Sequence, residues 1–558
     1  MMKSDIEAAI AAAVKSLFDV DTRVELTRPD EQFGDYTTNI ALQLSKHLAR
    51  NPREIAEQIA KNVQAELGYE KISEVQVAGP GFINLRLSNK ALTVALRTKT
   101  YQPYAGQLVV LEYSDPNPFK ILHAGHLYQG AFGDAVAHLL ERAGANLHCV
   151  NFGGDVGLHV ARNMWAMLQD LGGEHPEKLE EIPSGDRSEW MAKCYVRGTA
   201  AYEEDETAKQ QIIELNKRIY QLHADNDHSS PFAQIYWTCR QWSYDYFNAF
   251  YERVGSHFEK YYPESETAPL GVKIVNEQLQ KGVYEKSDGA VVFDGEKYGL
   301  HTRVFITSNG LPTYEAKDVG LTMAKWRDYH FDKTIIITGN DIVEYMKVVL
   351  KSIEQFEPSL VERTQHLTHG NVKLAGGVKM SSRKGNFLRA NDVLDIVAEA
   401  NREATGHSDQ QTVLGAVKYA FLKQRIGADI IFDPQESVSL EGNSGPYLQY
   451  AHARARSILA KVDESKDTQL DDLQADERSL LRKLTEYSEV VEKATNELMP
   501  HHICTYLYEL AQKFNSFYEH NRVIGDERET LRLVLVGHYT ATLKDGLELL
   551  GIAAPERM

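Results

Sequence analysis

His123 and His126 are three residues apart, the spacing that places two side chains on one face of a helical turn. They follow an apolar segment that predicts a buried strand, so we expect them at the start of the next helix. The free N–H groups of a helix start attract anions, and two imidazoles there can donate hydrogen bonds to a phosphate group as charge builds on it. Gly125, between them, would let a flat base approach the backbone. Half of a metal site or a simple helix cap are the alternatives, although no nearby Cys or His supplies further metal ligands.

A second stretch that could do chemistry covers residues 373–389, which include five cations and no carboxylate. Its glycines and serines predict a mobile loop rather than a helix. A cationic loop that closes over a triphosphate would neutralise the pyrophosphate that leaves when the α-phosphorus is attacked. Taken alone, the stretch is equally compatible with a solvated basic loop.

The pattern around the two histidines predicts the scaffold that must hold them. An apolar strand at 107–113, a helix ending near Gly144 and a strand at 147–152 form a strand–helix–strand unit. Such a unit predicts a doubly wound parallel sheet with helices on both faces. Three further strand patterns, at 290–293, 303–307 and 333–338, are expected to complete that sheet.

The rest of the chain predicts three other kinds of structure. Helical patterns at 6–18, 36–48 and 52–67, followed by strands at 74–77 and 82–87, indicate a small α/β module. Residues from about 160 to 290 are typical of a helical insertion whose many aromatic residues are mostly core. From about residue 412 the pattern is helical, and the acidic stretch 462–478 is expected to be a solvated loop.

Bulk properties narrow the class of protein. A chain of 558 residues is too long for one hydrophobic core, so we expect three or four folded units. Four scattered cysteines without a CxxC pair argue against disulfides or a zinc knuckle and favour a reducing, cytoplasmic compartment. No apolar stretch is long enough to cross a bilayer, so no membrane partner is expected. The net charge of −18 predicts selective rather than promiscuous binding of any nucleic acid.

In this order, the two chemical stretches resemble the HIGH and KMSKS signatures of class I aminoacyl-tRNA synthetases. Segments at 112–117, 310–318, 441–454 and 549–558 narrow the resemblance to the arginyl-tRNA synthetase family, over nearly the whole chain. The resemblance implies a multidomain protein with a Rossmann-like α/β catalytic domain at 105–395. It also implies a small α/β tRNA-binding domain at 1–98, a connecting helical region at 396–440 and an all-α anticodon-binding bundle at 441–558.

The resemblance implies a role for each residue that matches a family motif. Catalysis would involve Lys120, His123, His126, Lys379 and Lys384. ATP would contact Gly125, Met380, Ser381 and Ser382. Arginine would be bound by Glu112, Ser114, Asn117, Tyr314 and Asp318. The chemistry agrees, because a guanidinium is a planar fork of donors that carboxylates and in-plane acceptors match. A site of this kind rejects analogues that lack the hydrogen bonds, so no editing domain is expected. For Asp318, a helix amino-terminal charge is the alternative.

One departure from the family pattern concerns the cationic loop. The general signature has a second lysine where this chain has Ser382. The resemblance suggests that Lys120, just ahead of the histidine pair, takes over that role, and Lys384 could share it.

Two other departures lie near the amino-acid site. Ile342 stands close to where the family has a glutamine that helps to hold arginine, and an isoleucine cannot accept a hydrogen bond. Asn340, Asp341 or Glu344 could substitute for it. Asp115 occupies a position where serine is common, and it adds negative charge that suits a cationic substrate.

Contacts with RNA are carried over from the same resemblance. Phe82 and Asn84 match positions where the family's amino-terminal domain meets the tRNA elbow, and an exposed aromatic ring there could stack on an unpaired base. A strand-core role for Phe82 is equally open. The residues expected to face the anticodon loop are Tyr447, Gln449, Tyr450, His452 and Arg454, with at least one of these tyrosines in the core.

The function implied by the resemblance is the ATP-dependent ligation of L-arginine to tRNA(Arg) through an arginyl-adenylate, releasing AMP and pyrophosphate. Mg²⁺ would travel with the nucleotide rather than in a protein cage. The family also implies that the first step requires bound tRNA and that the 2′-hydroxyl is the acceptor, and we expect a monomer. Two alternatives stay open: a related ligase for another acid, and an inactive paralogue that only binds tRNA.

Overall fold

The computed structural model describes residues 2–96, 101–375, 388–461 and 470–558. Its first region contains, in chain order, α1 (Met2–Phe18), β1 (Tyr36–Thr38), α2 (Ile40–Leu48), α3 (Pro52–Leu67), β2 (Ile72–Ala78), β3 (Phe82–Leu87) and α4 (Asn89–Leu96). The three strands form an antiparallel sheet in the order β1-β3-β2, with α2 and α3 packed against it. The predicted α/β module is therefore present.

The helix predicted over residues 36–48 is wrong at its beginning. Tyr36–Thr38 is the strand β1, which pairs with Leu85–Ile83 of β3, and the helix starts only at Ile40. The triplet Tyr-Thr-Thr combines an aromatic and two β-branched residues, which favour a half-buried strand over a helix.

The second region carries most of the elements. They are β4 (Leu108–Glu112), α5 (Ala124–Arg142), β5 (Asn146–Gly153), α6 (Leu158–Leu171), α7 (Arg187–Glu204), α8 (Glu206–Ala224), α9 (Pro231–Val254), β6 (Lys260–Pro263), α10 (Glu264–Gln280), β7 (Glu285–Ser287), β8 (Ala290–Phe293), β9 (Arg303–Ile306), α11 (Tyr314–Tyr329), β10 (Lys333–Gly339), α12 (Val343–Glu354), α13 (Pro358–Glu362), β11 (Thr364–His369) and β12 (Val372–Leu374).

The core of this region is a five-stranded, fully parallel sheet in the order β11-β10-β4-β5-β6. In chain order this is a doubly wound arrangement whose first strand, β4, lies in the centre. Residues 334–338 of β10 are all buried, as expected of a strand covered by helices on both faces. The predicted Rossmann-like parallel sheet is confirmed.

The strands assigned to that sheet from the sequence are partly wrong. Of the three strand patterns expected to complete the sheet, only 333–338 belongs to it, as β10. Residues 290–293 and 303–306 are β8 and β9, which form a separate antiparallel sheet with β7. The two remaining parallel strands, β6 and β11, were not predicted. β6 has only four residues, and β11 reads Thr-Gln-His-Leu-Thr-His, too polar to stand out as a buried strand.

The last region is mainly helical, as predicted. It comprises α14 (Ala390–Thr405), α15 (Gln410–Leu422), β13 (Ile430–Phe432), α16 (Pro434–Ser437), α17 (Gly445–Leu459), α18 (Ala475–Thr485), α19 (Tyr487–Glu497), α20 (His501–His520) and α21 (Glu529–Leu549). The short strand β13 pairs with β12 in a parallel manner. Within the described ranges, every helix is too short or too polar to span a membrane.

The acidic stretch 462–478 is not a solvated loop at its end, because α18 begins at Ala475. Glu477 is completely buried there and accepts hydrogen bonds from Arg528 Nη2 at 2.6 Å and from Arg532 Nε at 2.9 Å. Its negative charge is therefore internal rather than exposed to solvent. Residues 462–469 lie outside the described part of the chain.

A buried ion pair joins the amino-terminal sheet to the carboxyl-terminal helices. Asp35 is fully buried, and its carboxylate lies 2.7 Å from Arg478 Nη2 and 3.2 Å from Arg482 Nε. The same carboxylate accepts the Leu87 N–H at 2.7 Å. A carboxylate with two buried guanidinium partners fixes the relative position of the two regions.

We therefore expect Asp35→Ala to destabilise the protein strongly, because it leaves the buried Arg478 guanidinium without a counter-charge and Arg482 with Glu486 alone. Removing one partner of a buried ion pair costs about 3–5 kcal/mol. Urea denaturation followed by circular dichroism measures this loss. Glu57→Ala is the matched control, since Glu57 pairs with Arg53 at the surface, and it should leave the midpoint unchanged. Equal midpoints for the two variants would contradict the proposed role of Asp35.

Candidate active site

The strand order of the parallel sheet reverses between β4 and β10, and this reversal opens a crevice at the carboxyl ends of the two strands. The chain leaves β4 after Glu112 through an irregular segment. Three of its residues, Ser114, Asp115 and Phe119, have positive φ angles of 75°, 40° and 67°. A non-glycine residue held at a positive φ angle costs about 1–3 kcal/mol of folding free energy, and such residues cluster at functional sites.

Two side chains of this segment tie it to the end of β5. Asp115 Oδ1 accepts the Phe152 N–H at 2.8 Å, and Asn117 Oδ1 accepts the Gly154 N–H at 2.8 Å. A Cβ atom at Gly154 would lie 2.5 Å from Asn117 Oδ1 and 3.2 Å from the carboxyl carbon of Glu264. The glycine therefore allows polar groups from three elements to converge on the crevice.

His123 caps helix α5, and His126 belongs to its first turn. The Gly125 N–H donates to His123 Nδ1 at 3.1 Å, and the His123 N–H donates to His126 Nδ1 at 3.2 Å. Because each Nδ1 accepts a hydrogen bond, a neutral ring carries its proton on Nε2. Burial, together with the Lys120 ammonium, lowers the pKa of His123 to about 4, and burial lowers the pKa of His126 well below its usual value. Both rings are thus neutral donors at pH 7.

A cavity of about 130 Å³ opens in front of these rings. Asn117, Lys120, both histidines and Tyr195 of α7 contribute to its walls, and Lys120 Nζ lies 4.7 Å from the centre of the Tyr195 ring. A Cβ atom at Gly125 would lie 2.9 Å from the His123 ring, so a larger residue would displace that imidazole. The glycine is required for the ring position as well as for space.

The cationic stretch is anchored beside the histidines at its carboxyl end. The Ala124 N–H donates to Leu388 O at 2.8 Å, and the Ala390 N–H donates to Leu122 O at 3.0 Å. Arg389 also pairs with Glu189 of α7 at 2.5 Å. The predicted loop residues Lys379, Met380, Ser381, Ser382 and Lys384 lie outside the described residues.

Four carboxyl groups that interact through their charges form a cluster at the end of β4, which we call the acidic pocket. It holds the buried carboxylates of Glu112 and Glu264 and the half-buried carboxyl groups of Asp115 and Asp318. Lys325 pairs with Glu112, and Lys317 pairs with Glu264. Among the described residues, neither Asp115 nor Asp318 has a Lys or Arg partner within ion-pair distance.

The electrostatics of the two unpaired carboxyl groups reflect this imbalance. Burial raises the pKa of Asp318 to about 7, with Glu112 adding to the rise and the Tyr345 hydroxyl opposing it. Burial and the neighbouring Glu112 hold the pKa of Asp115 well above its ordinary value. A cation entering the pocket would favour the ionised form of both groups, because it would offset their burial and the charge of the neighbouring carboxylates.

The predicted substitutes for the family glutamine near Ile342 do not reach this pocket through any hydrogen bond that the structure records. Asn340 Nδ2 donates to Gly427 O at 2.7 Å, and Glu344 pairs with Lys347 on the surface. The residue that does contact the pocket is Tyr345, whose hydroxyl donates to Asp318. Tyr345 lies one turn beyond the expected position.

The other predicted arginine-binding residues surround the same pocket. Ser114 is buried, and its hydroxyl is 2.8 Å from that of Tyr251. Tyr314, at the first turn of α11, is 57% exposed, and Lys317 Nζ lies 4.9 Å from the centre of its ring. Asp318 also lies in the first turns of α11. A role as a helix amino-terminal charge therefore accounts for its position, but not for the hydrogen bond that it accepts from Tyr345.

The predicted RNA contacts divide into two groups. Phe82 is 40% exposed and so is not a strand-core residue, whereas Asn84 is buried and accepts the Thr37 hydroxyl at 2.7 Å. On α17, Tyr450 and Arg454 are exposed.

The expectation that Gln449 and His452 face the anticodon loop is wrong, because both are completely buried. Gln449 Nε2 donates to Ala553 O at 2.9 Å, and His452 Nδ1 donates to Pro555 O at 2.9 Å. These side chains hold the last residues of the chain against α17. Tyr447 is half-buried, and its hydroxyl accepts a hydrogen bond from Asn515 at 2.9 Å.

Sequence reasoning did not identify Lys317, Lys325, Glu264 or Tyr345. The available signal was the pair of lysines eight residues apart on α11, both on positions that the helix buries. A buried lysine requires a carboxylate partner. Its identity could not be read from spacing, since Glu112 precedes Lys325 by 213 residues.

Comparison with known proteins finds family models that match along nearly the whole chain. The family model "tRNA synthetases class I (R), catalytic domain" matches residues 89–433, and "Arginyl tRNA synthetase N terminal domain" matches 1–87. "DALR anticodon binding domain" matches 448–558. The Arginine--tRNA ligase of Porphyromonas gingivalis is 28% identical, covering 99% of both chains, and that of Borreliella burgdorferi is 28% identical, covering 94% of this chain and 92% of the relative.

A solved structure agrees with these matches. The arginyl-tRNA synthetase of Thermus thermophilus superimposes with a TM-score of 0.81 at 27% identity, with each chain covered completely. That of Plasmodium falciparum, at 21% identity, has the same fold with a TM-score of 0.81. The class I catalytic model alone spans more than half of the chain, and the flanking domains match in the same order. This chain belongs to the arginyl-tRNA synthetase family.

Proposed function

We propose that this protein uses ATP to join L-arginine to tRNA(Arg), through an arginyl-adenylate, with release of AMP and pyrophosphate. The observation that carries the proposal is the acidic pocket, where four carboxyl groups, two of them fully buried, lie with only two paired lysines near a helix start that presents two neutral imidazole donors. The pocket suits a guanidinium, and the helix start suits a phosphate.

In the first step, a carboxylate oxygen of arginine attacks the α-phosphorus of ATP, and the bond to the pyrophosphate oxygen breaks. The Nε2–H groups of His123 and His126 donate to phosphate oxygens as negative charge develops, and Lys120 adds a positive charge. Lys379 and Lys384 would add positive charge from the segment ahead of Leu388 and Ala390, which are hydrogen-bonded to Ala124 and Leu122. In the second step, the 2′-hydroxyl of the terminal ribose attacks the arginyl carbonyl, and AMP leaves.

Binding of Mg²⁺ is assigned to the nucleotide itself. Among the described residues, no group of three His, Cys, Asp or Glu side chains is placed to hold a metal ion. The ion would neutralise charge on the phosphate oxygens that carry it.

All four cysteines are free thiols, which fits a cytoplasmic protein. One chain supplies all the proposed site residues, so we propose that the protein acts as a monomer.

Arginine-dependent exchange of radioactive pyrophosphate into ATP, measured with and without tRNA, tests this function. We expect exchange with arginine and none with lysine or citrulline, because these lack the cationic fork of donors. Exchange with a different amino acid would identify a related ligase instead. Binding of tRNA without exchange would identify an inactive paralogue.

The histidine pair can be tested with two substitutions that separate capping from catalysis. Asn at position 126 keeps an acceptor near the place of Nδ1 but loses the Nε2 donor, so His126→Asn should reduce the exchange rate by about 10²–10³. His126→Gln keeps a donor near the place of Nε2 and should lose less. The surface variant His175→Gln is the control. Full exchange by His126→Asn would mean that this residue is only a helix cap.

Arginine binding should depend on pH through Asp318. The pKa of this carboxyl is about 7 in the empty pocket, and a bound guanidinium would lower it, so binding below pH 7 must displace a proton. Affinity for arginine should therefore weaken by up to about tenfold per pH unit below 7 and level off above it. Calorimetry across this range measures the effect. Asp318→Asn should bind more weakly and lose this pH dependence, and an unchanged profile would contradict the assignment.

A further inference from the structure

Helix α5 connects the active site to the carboxyl-terminal helices. His123 and His126 lie at its first turn, and Arg142 is its last residue. Nineteen residues at 1.5 Å per residue make a helix about 28.5 Å long. Such a helix moves as one body, so a displacement of one end also displaces the other.

The middle of α5 contains a buried carboxylate that contacts three other elements. Asp134 Oδ1 accepts the Tyr113 hydroxyl at 2.9 Å, and Asp134 Oδ2 accepts the Ser256 hydroxyl at 2.8 Å. Lys418 Nζ, on α15, lies 3.7 Å from the same Oδ2. The side chains of Asp134 and Lys418 are each only 5% exposed, so their charges balance one another out of contact with solvent.

Tyr113 gives this carboxylate a direct connection to the amino-acid site. It lies between Glu112 and Ser114, where β4 ends and the strained segment begins, and it is 1% exposed. Its ring packs on the backbone of Gly133, and a Cβ atom there would overlap the ring. The ring is therefore held by close packing on one side and by the hydrogen bond to Asp134 at its tip.

Lys418 belongs to a helix that is integrated with the carboxyl-terminal bundle. The next residue, Tyr419, donates from its hydroxyl to Cys504 O of α20 at 3.1 Å. A Cβ atom at Gly551, just after α21, would lie 3.1 Å from Lys418 Nζ. The position of this ammonium therefore depends on the helices that carry the anticodon-binding match.

A second contact joins the far end of α5 to the same bundle. Arg142 pairs with Asp545 of α21, and the Tyr487 hydroxyl of α19 donates to Asp545 at 2.6 Å. The carboxyl-terminal helices thus fix Arg142 directly, and they reach Asp134 through Lys418 of α15, the helix that packs against them. Both carry charge–charge contacts that depend on the relative position of the domains.

We propose that Asp134 is a positioning residue through which the carboxyl-terminal domain sets the geometry of the arginine-binding strand end, with the Arg142–Asp545 pair as its second anchor. The inference rests on the proposed function. A buried carboxylate keeps its three partners only while β4, α9 and α15 hold their mutual positions. A shift of Lys418 with the carboxyl-terminal helices therefore favours a shift of Tyr113, and so of Glu112 and Ser114.

A purely structural role would predict something different. Loss of a structural ion pair lowers stability and weakens all ligands without linking them. A positioning role predicts coupling, in which tRNA bound to the carboxyl-terminal domain changes the affinity for arginine, and arginine changes the affinity for tRNA by the same factor. The coupling factor, rather than either affinity alone, is the diagnostic quantity.

The experiment measures the dissociation constant of arginine by calorimetry on the full chain, with and without saturating tRNA(Arg) transcript. For the unaltered protein we expect a coupling factor of roughly 5- to 150-fold, the usual range for linked sites. Lys418→Met should reduce this factor toward one, because it removes the cation and keeps the length of the side chain. Lys418→Arg keeps the charge and should retain most of the coupling. Lys544→Gln, which removes an exposed pair with Glu548 next to Asp545, is the matched control.

The outcomes separate this inference from the proposed function. If the unaltered protein does not bind arginine, the proposed function fails. If it charges tRNA but has a coupling factor of one, or if Lys418→Met keeps the full factor, only the positioning role is overturned. Where Lys418→Met lowers the thermal midpoint, Tyr113→Phe and Asp545→Asn provide the test, since each weakens the polar contacts of one anchor and changes little volume. Unchanged coupling in both would also overturn the proposal.

Discussion

The balance of charge at the strand reversal constrains the rest of this site. Glu112 and Glu264 are buried there, Asp115 and Asp318 are half-buried beside them, and among the described residues only Lys325 and Lys317 lie within ion-pair distance of any of the four. Without a bound cation, the carboxyl groups that lack a lysine partner are expected to take up protons near pH 7. The difference between the ordinary pKa of 3.8 and the value of about 7 for Asp318 corresponds to about 4 kcal/mol. A guanidinium that replaces the proton recovers part of this free energy. The protein without the cation is therefore less stable than the protein with it, and this difference favours binding.

The helix start beside this pocket shows that capping and phosphate binding are compatible roles for one histidine pair. From the sequence, the two roles are alternatives. In the fold, Nδ1 of each ring accepts a backbone N–H, and this fixes the tautomer that leaves a proton on Nε2. Burial keeps both rings neutral. A neutral ring that donates a hydrogen bond attracts the phosphate less strongly than a full positive charge would. The stronger electrostatic attraction must therefore come from lysines.

Local patterns in the sequence predict the parts of the molecule that depend on neighbours in the chain. The strand–helix–strand unit around His123 is such a part, because its hydrophobic period and its helix start lie within about forty residues. The partners of the acidic pocket are not, since Lys325 meets Glu112 only after β10 has been placed beside β4. The same limit explains the errors on α17. Helical periodicity shows that Gln449 and His452 share a face, but not that the chain end covers that face.

The internal use of arginine explains how an acidic composition relates to RNA binding. Arg478 and Arg482 neutralise Asp35 at a domain contact, and Arg528 and Arg532 neutralise the fully buried Glu477. These four guanidinium groups hold the fold together and do not add to the outer surface a charge that phosphates could use. The surface is therefore at least as acidic as the total of −18 suggests. An RNA held by such a protein must be recognised through shape, stacking and a few well-placed cations, because a general attraction to phosphates is absent.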